Sequence, residues 1–138
     1  MARFDMSGLD LIMDEMRRLG EDCSEVAEDM VIAGAEEMRK SWVLTIGEYG
    51  LVDSGDMINS IGYDKSPKRE GDALVMDIFP KGKDHKGVRN AEKAYILHYG
   101  TSTIKARYFV DQVIEYSNVS VVPTMAEVWD RFIQRRLE

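Results

Sequence analysis

The stretch Ala94-Tyr95-Ile96-Leu97-His98-Tyr99-Gly100-Thr101, continued by Lys105-Ala106-Arg107-Tyr108-Phe109, carries the densest signal in the chain. An apolar helical run stops at a glycine and a threonine, and a short polar loop follows. Ala-Arg-aromatic-Phe then opens a second apolar helix. Gly100 is expected to end the first helix in a left-handed conformation that a side chain would penalise. Thr101 caps or closes the turn, Ala106 permits close approach, and Arg107 satisfies helix-end carbonyls or a carboxylate. Phe109 anchors the next helix in the core. Such a block fixes how two helices meet and contains no arrangement suited to chemistry.

Working outward, the spacing predicts a helix over Ala91–Tyr99 that buries Ala94, Tyr95 and Leu97 or His98. From Tyr108 to Glu138 the chain reads as mostly helical, broken or kinked near Pro123. Met125, Val128, Trp129, Phe132 and Ile133 form the apolar face of its second half. Toward the N-terminus, Leu9, Ile12, Met13, Met16 and Leu19 repeat at helical spacing behind an N-cap at Ser7, and Gly20 is expected to end that helix. A longer helix is expected over residues 22–47. Its stripe is Cys23, Val26, Ala27, Met30, Gly34, Met38, Trp42 and Thr45 or Ile46, and its wet face is acidic. Met13, Met16, Met30 and Met38 fall on the inner faces, where methionine fills irregular gaps, with an adaptable binding surface the weaker alternative. Gly34 thins the helix where another backbone can approach, with packing inside the subunit the favoured use.

Between these helices, Asp53-Ser54-Gly55-Asp56-Met57-Ile58-Asn59-Ser60-Ile61 reads as a capped turn leading into a short helix or directly into a strand. Ile61 and Tyr63 alternate with Gly62 and Asp64 as one half-buried strand. Pro67–Gly71 reads as a polar turn, and Ala73–Phe79 as a strand stopped by Pro80. The two strands are expected to pair as an antiparallel hairpin. The segment from Lys81 to Arg89 holds two glycines and no apolar periodicity, so an exposed, mobile loop over about 81–90 is expected. The fold class that follows is α+β. A small antiparallel β-sheet is packed by long N-terminal and C-terminal α-helices, in one domain over residues 1–138.

The chain has 138 residues, 44% of them hydrophobic, which suits one modest core. No apolar run reaches bilayer-spanning length, and Met1-Ala2-Arg3-Phe4-Asp5 turns acidic too soon for a secretory signal or transit peptide. Cys23 is the one cysteine, read as a small buried hydrophobe. The net charge of −7 argues against simple sheathing of nucleic acid, but it is unevenly spread. Met1–Glu48 carries 12 acidic and 5 basic residues, whereas Tyr63–Arg107 carries 6 acidic and 10 basic. An acidic end and a basic middle attract copies of the chain head to side where geometry closes, although solvated faces explain the charge alone equally well. Lys81, Lys83, Lys86 and Arg89 are the candidate contact residues, toward DNA phosphates or an acidic face of a neighbouring subunit, with the subunit favoured. His85 and His98 lack metal-ligand neighbours in sequence, and no nucleophile elbow or phosphate loop occurs. The reading is therefore a non-enzyme with no catalytic residues, no metal and no cofactor.

Two blocks in this order resemble the tail-component family of tailed phages and prophages, known as tail-completion or head–tail joining proteins. The first is Ser54-Gly55-Asp56-Met57-Ile58-Asn59-Ser60-Ile61, matching a Thr-Gly-x-Leu-x-x-Ser-Ile turn. The second is Leu97-His98-Tyr99-Gly100-Thr101 with Ala106-Arg107-Tyr108-Phe109, matching an aliphatic-acidic-aromatic-Gly-Thr segment and an Ala-Arg-Pro-Phe segment. His98 stands where the family has an acidic residue, and Tyr108 where it has proline. The resemblance makes Ser54, Gly55, Ser60, Tyr99, Gly100, Thr101, Ala106, Arg107 and Phe109 structural motif residues. It implies a virion protein of the tail or neck, made in the bacterial cytoplasm and assembled as a ring, hexameric by tail symmetry. Its partners would be copies of itself, other neck and tail proteins and DNA passing through the channel, with no membrane. The alternative is a prophage-encoded regulatory module that binds nucleic acid or protein through the basic loop.

Overall fold

The computed structural model describes residues 7–137, with side chains described for residues 11–137. The reading of Met1–Asp5, the N-cap at Ser7 and the side chain of Leu9 lie outside that description. Eight elements follow in order: α1 (Ser7–Glu48), α2 (Asp56–Asn59), β1 (Ile61–Gly62), β2 (Lys68–Glu70), β3 (Ala73–Val75), β4 (Phe79–Pro80), α3 (Asn90–Tyr99) and α4 (Phe109–Leu137). The architecture is α+β, as expected from the sequence.

The expected break at Gly20 is absent, and α1 is one helix of 42 residues. An exposed glycine costs a helix only about 1 kcal/mol relative to alanine, too little to stop one whose neighbours favour it. The helix ends instead at Gly50, whose φ is +65°. The Gly50 N–H donates to the Gly47 carbonyl (3.1 Å) and the Leu51 N–H to the Ile46 carbonyl (3.0 Å). That bond pair is a Schellman motif, and it turns Leu51 back against the core beside the fully buried Ile46. Of the glycines at positions 20, 34, 47 and 50, the one followed by a residue with somewhere to pack stops the helix.

Helix α4 runs antiparallel to α1. Phe109 meets Trp42 edge-on at 5.9 Å, a side chain added at Gly34 would touch Val121 and Met125, and Arg136 pairs with Asp22. Pro123 lies inside α4 without ending it. It sits on the solvent side between exposed Val122 and Glu127, where water takes over the carbonyl that loses its amide partner. The core gathers at one end of this pair, where Trp42, Ile46, Met57, Ile61, Ala94, Phe109 and Val113 pack together.

Pairing in the strands differs from the simple hairpin. Ile61 and Gly62 pair with Pro80 and Phe79, whereas Ala73–Val75 pairs with Lys68–Glu70, the segment read as a polar turn. Both pairs are antiparallel. They amount to one long hairpin interrupted midway, with residues 63–67 opposite residues 76–78. Pro67 cannot donate to a ladder, and Ile78 leaves the sheet to pack against the core. Tyr63, in the interruption, donates its hydroxyl to Glu36 on α1 at 2.8 Å.

At the other end α1 outruns α4. Beyond the Asp22–Arg136 contact, residues 7–21 project as a helical arm about 22 Å long. Leu11, Ile12, Met13, Met16 and Leu19 are all exposed there, Leu11 by 68% and Met16 by 67%. The expected inward placement of Met13 and Met16 is thus wrong for this subunit. Their spacing continues the buried stripe of α1, but the helix that covers that stripe has already ended.

Candidate functional site

Helix α3 buries Ala94 and His98 and turns Tyr95 and Tyr99 outward. The expected burial of Tyr95 is overturned, since that residue is 65% exposed. Small Ala94 lets α3 approach the core, and His98 finds a partner inside. Its Nδ1 accepts the Val110 N–H at 3.3 Å, so the imidazole caps the first turn of α4 from another helix. Tyr99 and Tyr108 both stand edge-on to the His98 ring, at 4.5 and 5.6 Å.

The chain leaving α3 folds back onto its own helix end. The Gly100, Arg107 and Tyr108 N–H groups donate to the carbonyls of Ile96 (2.7 Å), Leu97 (3.0 Å) and His98 (3.1 Å). Gly100 has φ +77° with an extended ψ of 180°, so the expected positive φ is present in a glycine-only region and not in the left-handed helical one. Thr101 closes the loop by accepting the N–H groups of Thr103 (3.2 Å) and Ile104 (3.0 Å) on Oγ1. Arg107 donates to the Tyr49 carbonyl at 2.8 Å, a carbonyl at the end of α1. Tyr108 has φ +49°, a value proline cannot reach, and uses the N–H that proline lacks. Proline, which the resembled motif carries there, does not fit this turn. Phe109 is fully buried, as expected.

The first block makes the turn and short helix that the sequence left as one of two options. Ser54 Oγ accepts the Asp56 N–H (3.3 Å), Gly55 has φ +90°, and Ser60 Oγ donates to the Met57 carbonyl (2.6 Å). Met57 and Ile61 enter the same core as Ala94 and Phe109, so the fold brings the two blocks together. An open cleft of about 370 Å³ lies between them, lined by Leu51, Val52, Met57, Ile58, Lys93 and Leu97.

The basic segment is exposed, but it is built and not loose. Asp84, whose side chain is 3% exposed, accepts the N–H groups of Lys86 (2.9 Å) and Val88 (2.8 Å) and pairs with Lys93. The Lys93 ammonium, aided by those amides, holds the Asp84 carboxyl below its ordinary range. His85 docks on Asp56 of α2 through its N–H (3.0 Å) and Nδ1 (2.5 Å). The backbone N–H first, then the ring, pulls Asp56 down to about 2. Buried Asn90 clamps the loop's base by donating Nδ2 to the Lys81 carbonyl at 2.9 Å. Neither Asp84 nor Asn90 was singled out from the sequence, although an Asp three residues before Gly87 is a turn signal.

Of the four candidate contact residues, Lys81 is engaged. It pairs with Asp64 at 2.9 Å and lies 5.7 Å over the Phe79 ring. Lys83, Lys86 and Arg89 are exposed and form no ion pair among the described residues. The basic segment leaves from Pro80 and returns at Ala91, and both of these residues line a groove of about 240 Å³ together with Trp42, Phe79, Tyr95, His98 and Tyr99. Phe79, Tyr95 and Tyr99 stand exposed at its rim. Among the described residues no group of three or more His, Cys, Asp or Glu side chains comes together as a metal site. No described helix is long and apolar enough to cross a membrane. Comparison with family models, curated proteins and solved structures gave no match.

Proposed function

We propose that this chain is a structural protein of a tailed phage or prophage, which completes the tail or joins it to the head by assembling into a ring. The observation that carries the reading is the pair of uncovered apolar surfaces, the arm of α1 at one end and the tyrosine-rimmed groove at the other. Contiguous apolar surface of this kind on a small domain marks contact with other chains. The two motif blocks, packed into one core around the Gly100 turn, support the resemblance to tail-completion and head–tail joining proteins. In this reading the ring is sixfold, the partners are sibling copies and adjoining neck and tail proteins, and the protein resides in the virion.

Electron microscopy of the purified protein, alone and mixed with tail tubes, tests the reading. Rings, or caps on tube ends, are expected; a subunit that stays monomeric and leaves tubes bare refutes it. The exposed Lys83, Lys86 and Arg89 favour one second reading, a regulatory module that grips nucleic acid. Three phosphate contacts would give binding whose logarithm falls with log salt at a slope of about −3. Such a slope without ring formation would choose the regulatory reading.

A further inference from the structure

The arm of α1 and the groove beside α3 are opposite in charge as well as alike in apolar character. The arm, residues 7–21, holds four acidic residues against two arginines, while residues 81–93 hold five basic residues against two acidic ones. Each arm carries a net charge of −2, so two arms laid together repel mildly while an arm and the basic segment attract. An arm laid along α3 meets Lys83, Lys86 and Arg89 with its carboxylates, and the rings of Phe79, Tyr95 and Tyr99 with Ile12, Met16 and Leu19. The lengths agree: the arm spans about 22 Å and α3 about 15 Å, so one helix covers the other with a turn to spare.

We infer that the arm of one copy docks in the α3 groove of the next, a head-to-tail contact that continues the α1 stripe into a neighbouring subunit. This rests on the ring reading and specifies its interface. A head-to-tail contact leaves each open chain of subunits with one free arm at one end and one free groove at the other, so it continues past a dimer and ends in a ring where the rotation closes. Without a neighbour the arm is a helix of about 15 residues with nothing packed on its apolar face, the length at which isolated helices are marginal. Its order therefore rises on docking.

The test mixes two defective subunits. Ile12→Ser with Met16→Ser spoils the arm, and Tyr95→Ser with Tyr99→Ser spoils the groove; all four side chains are exposed, so both variants fold. Analytical ultracentrifugation should find self-association of each variant weakened more than tenfold relative to wild type. Mixed one to one, they should form a heterodimer and stop there, because one intact arm meets one intact groove. Lys83→Glu with Lys86→Glu should weaken wild-type assembly, and high salt should do the same. Variants that assemble like wild type overturn the interface and leave the ring reading standing. A groove variant that assembles while the arm variant does not means that arms pair with each other, and also overturns it. A mixture that stays monomeric does so too. Wild type that never associates, alone or with tail tubes, removes both inferences.

Discussion

Gly100 sits where the backbone of residues 104–106 crosses directly over its Cα. A Cβ there would lie 2.7 Å from both the Ile104 carbonyl oxygen and the Ala106 nitrogen, and φ is +77°. Neither neighbour is a flexible side chain, so Gly100→Ala is expected to destabilise the fold by about 3 kcal/mol, read by urea denaturation. Gly82, at φ +67° but with nothing near its would-be Cβ, provides the control. Gly82→Ala should lose only about 1 kcal/mol, the conformational strain alone. Tyr108 is the complementary case. Tyr108→Pro should destabilise by about 3 kcal/mol or more, because it removes the bond to His98 and forbids φ +49°, whereas Tyr108→Gly should be tolerated. The need for a glycine at 100 was legible because helix-to-loop reversal is a local demand. The strain at 108 was not, since it arises only where two helix ends meet in space.

At the scale of elements, helix existence was legible and helix boundaries were not. Apolar periodicity outlined the stripe from Cys23 to Ile46, and every residue of it is buried or half-buried. Gly20 was read as a stop because glycine ends helices often, yet it has open space around it and the helix passes through. Gly20→Ala should therefore raise helicity by circular dichroism and slow amide exchange in the arm, stabilising that segment by about 1 kcal/mol. Gly34 behaves differently, because its Cβ would lie 3.1 Å from Met125 Sδ and Val121 Cγ1. Those are side chains that can yield, so Gly34→Ala should fall within about 1 kcal/mol of wild type, strain offsetting the helix propensity gained. Gly34→Leu should lose about 2–3 kcal/mol by wedging α1 from α4, which a thermal melt would show. The strand register escaped the sequence because Lys68–Glu70 is polar throughout. Its pairing is fixed by the turn at Gly71 and by the Ile61–Pro80 pair below, not by burial of its own side chains.

For the whole molecule, carboxylates tie the sheet and the basic loop to the helices. Glu36 is held at about 2, against an ordinary 4.5, first by hydrogen bonds from Arg39 and then by the Tyr63 hydroxyl. Asp56 is held at about 2, against 3.8, by His85. A depressed carboxyl lends stability that is complete above its unfolded value and is lost as pH falls through the folded one. The urea midpoint should accordingly drop between pH 4.5 and 2, and Glu36→Gln with Asp56→Asn should flatten that decline. A double variant as steep as wild type would contradict it. Local chemistry alone was enough to determine that this protein is α+β, that its main segments are helical, and that residues 97–109 turn one helix into another. Periodicity and turn propensity act over a few residues, and those can be read in order. Which glycine ends α1, which strands pair, that Asp84 organises the basic loop, and that Met13 and Met16 face outward were decided by tertiary structure. Each depends on where another element stops, and the arm is apolar and bare because α4 ends about four turns too soon to cover it.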